Sequence, residues 1–316
     1  MLKYLIIQLD DTSASFCHYP NKHQKSLIPL EVLKGGVVWA LKENLMVQFV
    51  YPDYELPKDY LDVIDSIDHI DIAHDHMKAD VSIFDGVHSL STLKTSVFTH
   101  AILRITKNEL FNNIVGVKEA FEKQTSLNIV ITDIDTFNDT DFESYKKVLT
   151  ELSSIVEKKI VSNKQVNINL LSDRLVLSSM NNCNAGVESI TLAPDGNFYI
   201  CPASYYCEEK CVGNPVNGLD IPNEQLYKLE YSPICRICDA FQCKRCVWLN
   251  KKTTGEVNTP GHEQCVVAHL ERNASRALLE RLIQSGKIKT DMTIPEIAYL
   301  LSLIHISEPT RHSLIS

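Results

Sequence analysis

Cys235-Arg236-Ile237-Cys238-Asp239-Ala240-Phe241-Gln242-Cys243-Lys244-Arg245-Cys246 is the stretch on which the reading turns. It holds two C-x2-C pairs within twelve residues. Each is a tight turn that presents two thiols to one metal centre. Cysteine used only as a small buried hydrophobe rarely recurs at that spacing. Working outward, Cys183 is followed by the turn Pro194-Asp195-Gly196 and then by Cys201. The runs 187–192 and 197–200 read as hairpin arms around that turn, so Cys183 and Cys201 are expected as neighbours. Cys265 follows Cys246 after eighteen residues, and Cys207 with Cys211 forms a C-x3-C pair in the loop. Nine of the ten cysteines therefore fall between Cys183 and Cys265.

The compartment decides what so many thiols are for. The N-terminal apolar stretch 4–9 is too short for a signal peptide and runs straight into Asp10-Asp11. No apolar window approaches the ~20 residues of a membrane helix. A cytoplasmic protein is expected, with no membrane partner, and in that reducing compartment cysteines serve metal ligation rather than disulfides. The formal net charge of -9 carries no basic stripe, which argues against nucleic acid as a partner. Two metal readings stand side by side. A zinc ribbon with no redox chemistry, an interaction module, uses four such thiolates. It usually has more than four residues between its knuckles, however, and seven thiolates without the loop pair suit two iron–sulfur sites better.

In front of the cysteines, short apolar runs at 5–9, 46–50, 81–84, 101–105, 127–131 and 166–171 read as strands buried on both faces. Helical patterns lie between them. Pro29 opens one through Trp39 despite Gly35-Gly36, each of which costs about 1 kcal/mol there. Asn108 caps a second, with Leu110, Ile114, Val117 and Phe121 on one face. A third begins near Asp139 and aligns Phe142, Tyr145, Leu149, Leu152 and Ile155. The pattern predicts an α/β fold with about six parallel strands, doubly wound or a partial barrel. It spans 1–175; a cysteine-rich domain, hairpin-like and without helices until His262, spans 176–290. The stretch 301–311, LSLIHISEPTR, looks like a translated transposase sequencing adapter, so 301–316 is set aside as an artefact and the native end of the chain is left open.

The cysteine order, C-x12-G-x4-C, then C-x2-C-x4-C-x2-C, then C, resembles the SPASM domain of radical S-adenosylmethionine peptide-modifying enzymes. The family usually shows C-x2-C-x5-C-x3-C, so the last two inner spacings here are one residue short. The resemblance implies one or two [4Fe–4S] clusters. One would be held by Cys235, Cys238, Cys243 and Cys265, the other by Cys183, Cys201 and Cys246. A fourth ligand for the latter would come from Cys207 or Cys211, or that iron would stay open to a substrate thiolate. Such enzymes also carry C-x3-C-x2-C after the first strand. Here that segment reads Asp10-Asp11-Thr12-Ser13-Ala14-Ser15-Phe16-Cys17-His18-Tyr19-Pro20, with Ser13 and Pro20 where the outer cysteines belong. One thiolate does not hold a cluster. Where the family shows Gly-Gly-Glu-Pro for the cofactor's amino group, this chain reads Tyr51-Pro52-Asp53-Tyr54-Glu55-Leu56. The resemblance is thus to a degenerate member, similar overall to CXXX-repeat peptide maturase proteins. It implies a peptide maturase subunit without S-adenosylmethionine chemistry of its own, working beside an intact radical enzyme on a cysteine-rich precursor peptide.

Other groups are weaker. Asp65, Asp68, His69, Asp71, His74, Asp75 and His76 crowd the stretch 62–80, and His74-x-His76 would share a strand face. This reads better as a solvated strand edge and loop of an acidic chain. Asp133 and Asp135 end a strand, where barrel enzymes keep active-site groups, or they cap the next helix. There is no Ser-His-Asp motif, P-loop or dinucleotide turn.

Overall fold

The β-branched runs become strands of one parallel sheet. The computed structural model describes residues 2–21, 24–75, 77–180, 183–288 and 290–296; His76 and the adapter-like stretch 301–316 lie outside them. Seven strands come first: β1 (Tyr4–Gln8), β2 (Met46–Val50), β3 (His69–His74), β4 (Val81–Asp85), β5 (His100–Ile105), β6 (Ser126–Ile131) and β7 (Asn167–Ile168). A hairpin of β8 (Ser189–Leu192) and β9 (Phe198–Tyr199) follows. The spatial order is β7-β6-β5-β4-β3-β2-β1-β8-β9, with every pairing from β7 to β8 parallel and β8–β9 antiparallel. This is the α/β partial barrel the sequence predicts, with two more parallel strands than the six expected.

One of the two extra strands corrects the reading of the acidic stretch. His69–His74 is an internal strand, paired to β2 and β4, rather than a sheet edge. Its alternation hides it: Ile70 and Ile72 face an aliphatic cluster, while the His69 ring packs edge-on against Phe49. The other, β8, begins beyond residue 176 yet lies in register on β1, so the hairpin extends the sheet of the preceding residues.

Ten helices connect and cover the strands among the described residues: α1 (Leu30–Lys42), α2 (Lys58–Ile64), α3 (Leu90–Thr95), α4 (Lys107–Asn112), α5 (Ile114–Lys123), α6 (Asp139–Val161), α7 (Asp173–Val176), α8 (Pro202–Tyr206), α9 (Val247–Thr254) and α10 (His262–Gln284). The cysteine-rich part is therefore not free of helices before His262. The helix expected to start at Asn108 starts earlier. Thr106 caps it in a reciprocal capping box with Glu109, and the helix breaks at Asn113. Gly36 is explained by close approach: a Cβ there would lie 2.3 Å from Leu192 Cδ2 and 3.5 Å from Ile7 Cδ1.

Packing divides by sheet face. Ile6, Val50, Ile72, Ile83, Ile102 and Val130, one from each of β1 to β6, meet in the barrel interior with Ala14. On the outer face, Leu5, Ile7, Ile190 and Leu192 pack under Leu33 and Val37 of α1. Leu103, Ile105, Leu127 and Ile129 pack with Tyr145, Leu149 and Leu152 of α6 and with Leu278 and Leu282 of α10. Each aliphatic side chain so buried contributes about 1.5–3 kcal/mol. The long helix α10 is thereby fixed to the barrel, and Cys265 rides on its first turns.

Candidate metal centres

The loop after β1 is built to stay closed. Ser13, where the resemblance expects an outer cysteine, is fully buried and committed to the backbone: its Oγ donates to the Val50 carbonyl at 2.7 Å and accepts from Asp10 N–H at 3.0 Å. Tyr54, in the segment where the resemblance expects Gly-Gly-Glu-Pro, donates to Asp10 Oδ2 at 2.9 Å. Farther along, buried Arg104 of β5 donates from Nε to the Cys17 carbonyl at 2.9 Å and from Nη2 to the Tyr19 carbonyl at 2.8 Å, while Nη1 pairs with Asp85. His18 Nδ1 reaches the Ile131 carbonyl at 2.9 Å, and burial lowers its pKa to about 4, so it is neutral. Pro20 is exposed.

Cys235, Cys238, Cys243 and Cys265 line one pocket, together with Arg245 and His269. The two knuckles turn their sulfurs inward and α10 supplies the fourth. Backbone N–H groups point at the sulfurs: Ala240 N–H at Cys238 Sγ, 3.5 Å, and Arg245 N–H at Cys243 Sγ, 3.4 Å. His269, four residues after Cys265 on the same helix face, sets Nε2 3.5 Å from Cys238 Sγ. Such contacts to sulfur are the levers by which proteins tune thiolate-bound clusters.

Cys246 opens α9 and accepts from Leu249 N–H at 3.5 Å. Cys201 caps α8, with its Sγ 3.7 Å from Ser204 Oγ. Burial first, and then the charges of Cys201, Cys183 and Cys17, hold the Cys246 thiol well above its ordinary pKa. The same cause pushes Cys17 up to about 11 and Cys201 up to about 12, with Cys183 adding to each. In the other group burial raises Cys265 to about 12 and raises Cys243, and in both cases Cys235 and Cys238 add to it. Within each of these groups the thiolate forms would repel one another. Buried thiols this close stay protonated until a cation replaces the protons. Among the described residues no three His, Cys, Asp or Glu side chains are placed to hold a single metal ion. One zinc with bonds of about 2.3 Å needs its sulfurs gathered round a point. Four thiols lining one pocket are a donor set that zinc and iron–sulfur clusters both use.

The remaining candidates go elsewhere. Cys207 is exposed and accepts from Trp248 Nε1 at 3.2 Å; Cys211 is half-buried near Tyr199. In the acidic stretch His69 pairs with Asp71 at 3.3 Å, and the Asp71 backbone N–H donates to Asp80. Asp133 accepts from Lys107 N–H at the start of α4, and Asp135 pairs with Lys252 of α9 at 2.6 Å. Sequence reasoning missed Arg104, His269 and Glu271. An arginine inside the apolar run 101–105 was the available signal for the first, and the spacing of four from Cys265 for the second.

No protein-family model matches the chain, and no curated protein matches it. Among solved structures it is similar to anSMEcpe with bound AdoMet, at a TM-score of 0.62 and 14% identity, over 90% of this chain and 98% of that one. It is more distantly similar to Streptococcus suis SuiB. Bound to S-adenosylmethionine, SuiB gives a TM-score of 0.44 at 10% identity, over 83% of this chain and 77% of that one. Bound to its precursor peptide SuiA, it gives 0.39 at 12%, over 82% and 74%. The first likeness shows the fold: this chain shares the α/β partial barrel of that structure over nearly its whole length.

Proposed function

We propose that this chain is the iron–sulfur component of a peptide-maturation system, acting beside a separate, intact radical S-adenosylmethionine enzyme on a cysteine-rich precursor peptide. The observation that carries it is a contrast within one fold. Four thiols of the cysteine-rich segment line one pocket, while the loop that would hold the radical cluster is committed to other bonds. Ser13 is spent on the Val50 carbonyl, Tyr54 on Asp10, and Arg104 on the carbonyls of Cys17 and Tyr19. In this reading Cys235, Cys238, Cys243 and Cys265 would hold one cluster, and Cys183, Cys201 and Cys246, as the resemblance implies, the other. Bound clusters would supply one-electron transfer at the edge of the barrel. The chain's own residues would hold them, shield them from water and donate N–H bonds to their sulfurs. A cytoplasmic setting, with thiols kept reduced, belongs to this reading; no helix of the described residues is long and apolar enough to cross a membrane.

Purified without oxygen, the protein is expected to be brown, with broad absorption at about 400 nm and labile sulfide matching iron. Incubated with S-adenosylmethionine and dithionite, it should form no 5'-deoxyadenosine above background. Cofactor cleavage would sink the division of labour; colourless protein with stoichiometric zinc would sink the clusters themselves.

A further inference from the structure

Where β6, the second knuckle and α10 meet, the barrel and the cysteine-rich segment leave a cavity of about 60 Å³. One water needs about 10–15 Å³ by this measure, so the space takes a group of a few heavy atoms. Ile134 and Leu170 give it an apolar wall, and His18, Lys244 and Gln264 also line it. Two other polar residues of the lining are already committed. Asn169 donates to the Ile129 carbonyl at 2.9 Å and accepts from the Ile129 N–H at 2.8 Å. Glu271 accepts from Tyr145 and Gln242. The first three are not committed in this way. Gln264 is 7% exposed, yet its Oε1 is buried with no hydrogen-bond partner among the described residues. Such an orphan is costly unless something in the cavity donates to it. Lys244 forms no ion pair among the described residues, and its charge reaches both His18 and Glu271. His18 donates from Nδ1 to the Ile131 carbonyl, which leaves Nε2 of the neutral ring as an acceptor.

The geometry points to a binding site for a primary carboxamide, lined by Lys244, Gln264 and His18. The amide oxygen accepts from the Lys244 ammonium, the NH2 group donates to Gln264 Oε1 and His18 Nε2, and the carbon stem lies along Ile134 and Leu170. A carboxylate of the same shape has acceptors only. It pairs with Lys244 but sets its second oxygen against two lone pairs, which leaves them unsatisfied. The amide has two possible sources, the side chain of an asparagine or glutamine in a peptide, or a free small amide. The site needs no metal, so the inference stands apart from the iron–sulfur reading.

Saturation-transfer difference NMR on the full chain tests this, with propionamide as the probe and propionate as its isosteric control. Propionamide should give a saturable response with a dissociation constant of about 1 mM, reasonable for so few heavy atoms. Propionate should bind about tenfold more weakly or not at all. Lys244→Met and Gln264→Met, each close in length to the native side chain, should weaken propionamide about tenfold. The tripeptides Gly-Gln-Gly and Gly-Glu-Gly separate the sources. Displacement of propionamide by the first and not the second makes the ligand a peptide side chain, and displacement by neither makes it a free amide. Propionate bound as tightly as propionamide would overturn the proposal, leaving an anion site at Lys244. No saturable response to either would overturn it too, leaving a cavity filled by water. The comparison of amide with acid is made on the wild type, so it decides the matter even where a variant fails to fold. Iron content of the same sample judges the iron–sulfur reading separately.

Discussion

Arg104 is the single side chain that ties the loop after β1 most firmly to the barrel. Charged residues are seldom placed in a strand buried on both faces unless they are paired. This one is only 9% exposed, and it satisfies the carbonyls of Cys17 and Tyr19 across the mouth of the barrel. Asp85, its carboxylate partner, is half-exposed, so the ion pair adds little and the two carbonyl bonds carry the effect. Arg104→Met keeps the aliphatic stem and removes both bonds. It is expected to lower stability by about 2–3 kcal/mol, the scale of charged hydrogen bonds to buried carbonyls, as read from the midpoint of denaturant unfolding. An unchanged midpoint would show that the loop holds its place without these two bonds.

At the scale of elements, the knuckles need a rigid backing because turns of four residues hold no shape alone. Asp239, next to Cys238, supplies it. Arg272 of α10, 1% exposed, donates to it through Nε at 2.7 Å and Nη2 at 2.6 Å, and Arg174 of α7 adds a third contact at 3.3 Å. Burial alone would raise the pKa of Asp239, but the two guanidinium groups hold it below the usual carboxylate range. The first knuckle is in this way pinned to the helix that carries Cys265. Asp239→Ala strands Arg272 in the interior and should cost about 3–5 kcal/mol, since breaking a buried pair leaves an uncompensated charge. Thermal unfolding of the cluster-free protein would show the drop. A change under about 1 kcal/mol would mean that the pair behaves as a surface bridge.

For the whole molecule, local pattern was readable and distant juxtaposition was not. Strands β1, β2, β4, β5 and β6 announced themselves as β-branched runs, and α6 as a face of Phe142, Tyr145, Leu149, Leu152 and Ile155. β3 escaped because half of it is polar, and Thr106 escaped because Asn108 offered a competing cap. The knuckles at Cys235 to Cys246 were legible since a turn is a local event. Nothing local says that Tyr19 will stack on Tyr206, because only the folding of the β1 loop onto α8 brings them together. Glu271 was likewise invisible: it is one polar residue on a helix whose inner face looked merely apolar. It joins barrel to cysteine domain, accepting from Tyr145 of α6 at 2.7 Å and from Gln242, between the knuckles, at 3.4 Å. Burial outweighs both bonds and raises its pKa from 4.5 to about 7. The folded state thus holds a proton that the unfolded chain has already lost. The stability this provides is fully present below about pH 4.5 and is lost as pH rises through about 7. The shift corresponds to about 3 kcal/mol at most. Glu271→Gln stays neutral throughout, so its stability relative to wild type should climb between about pH 5 and about pH 8, measured by denaturant unfolding at fixed salt. A difference that stays constant across that range would mean the carboxyl is hydrated and titrates normally, and that the barrel and the cysteine domain do not meet over a dry contact.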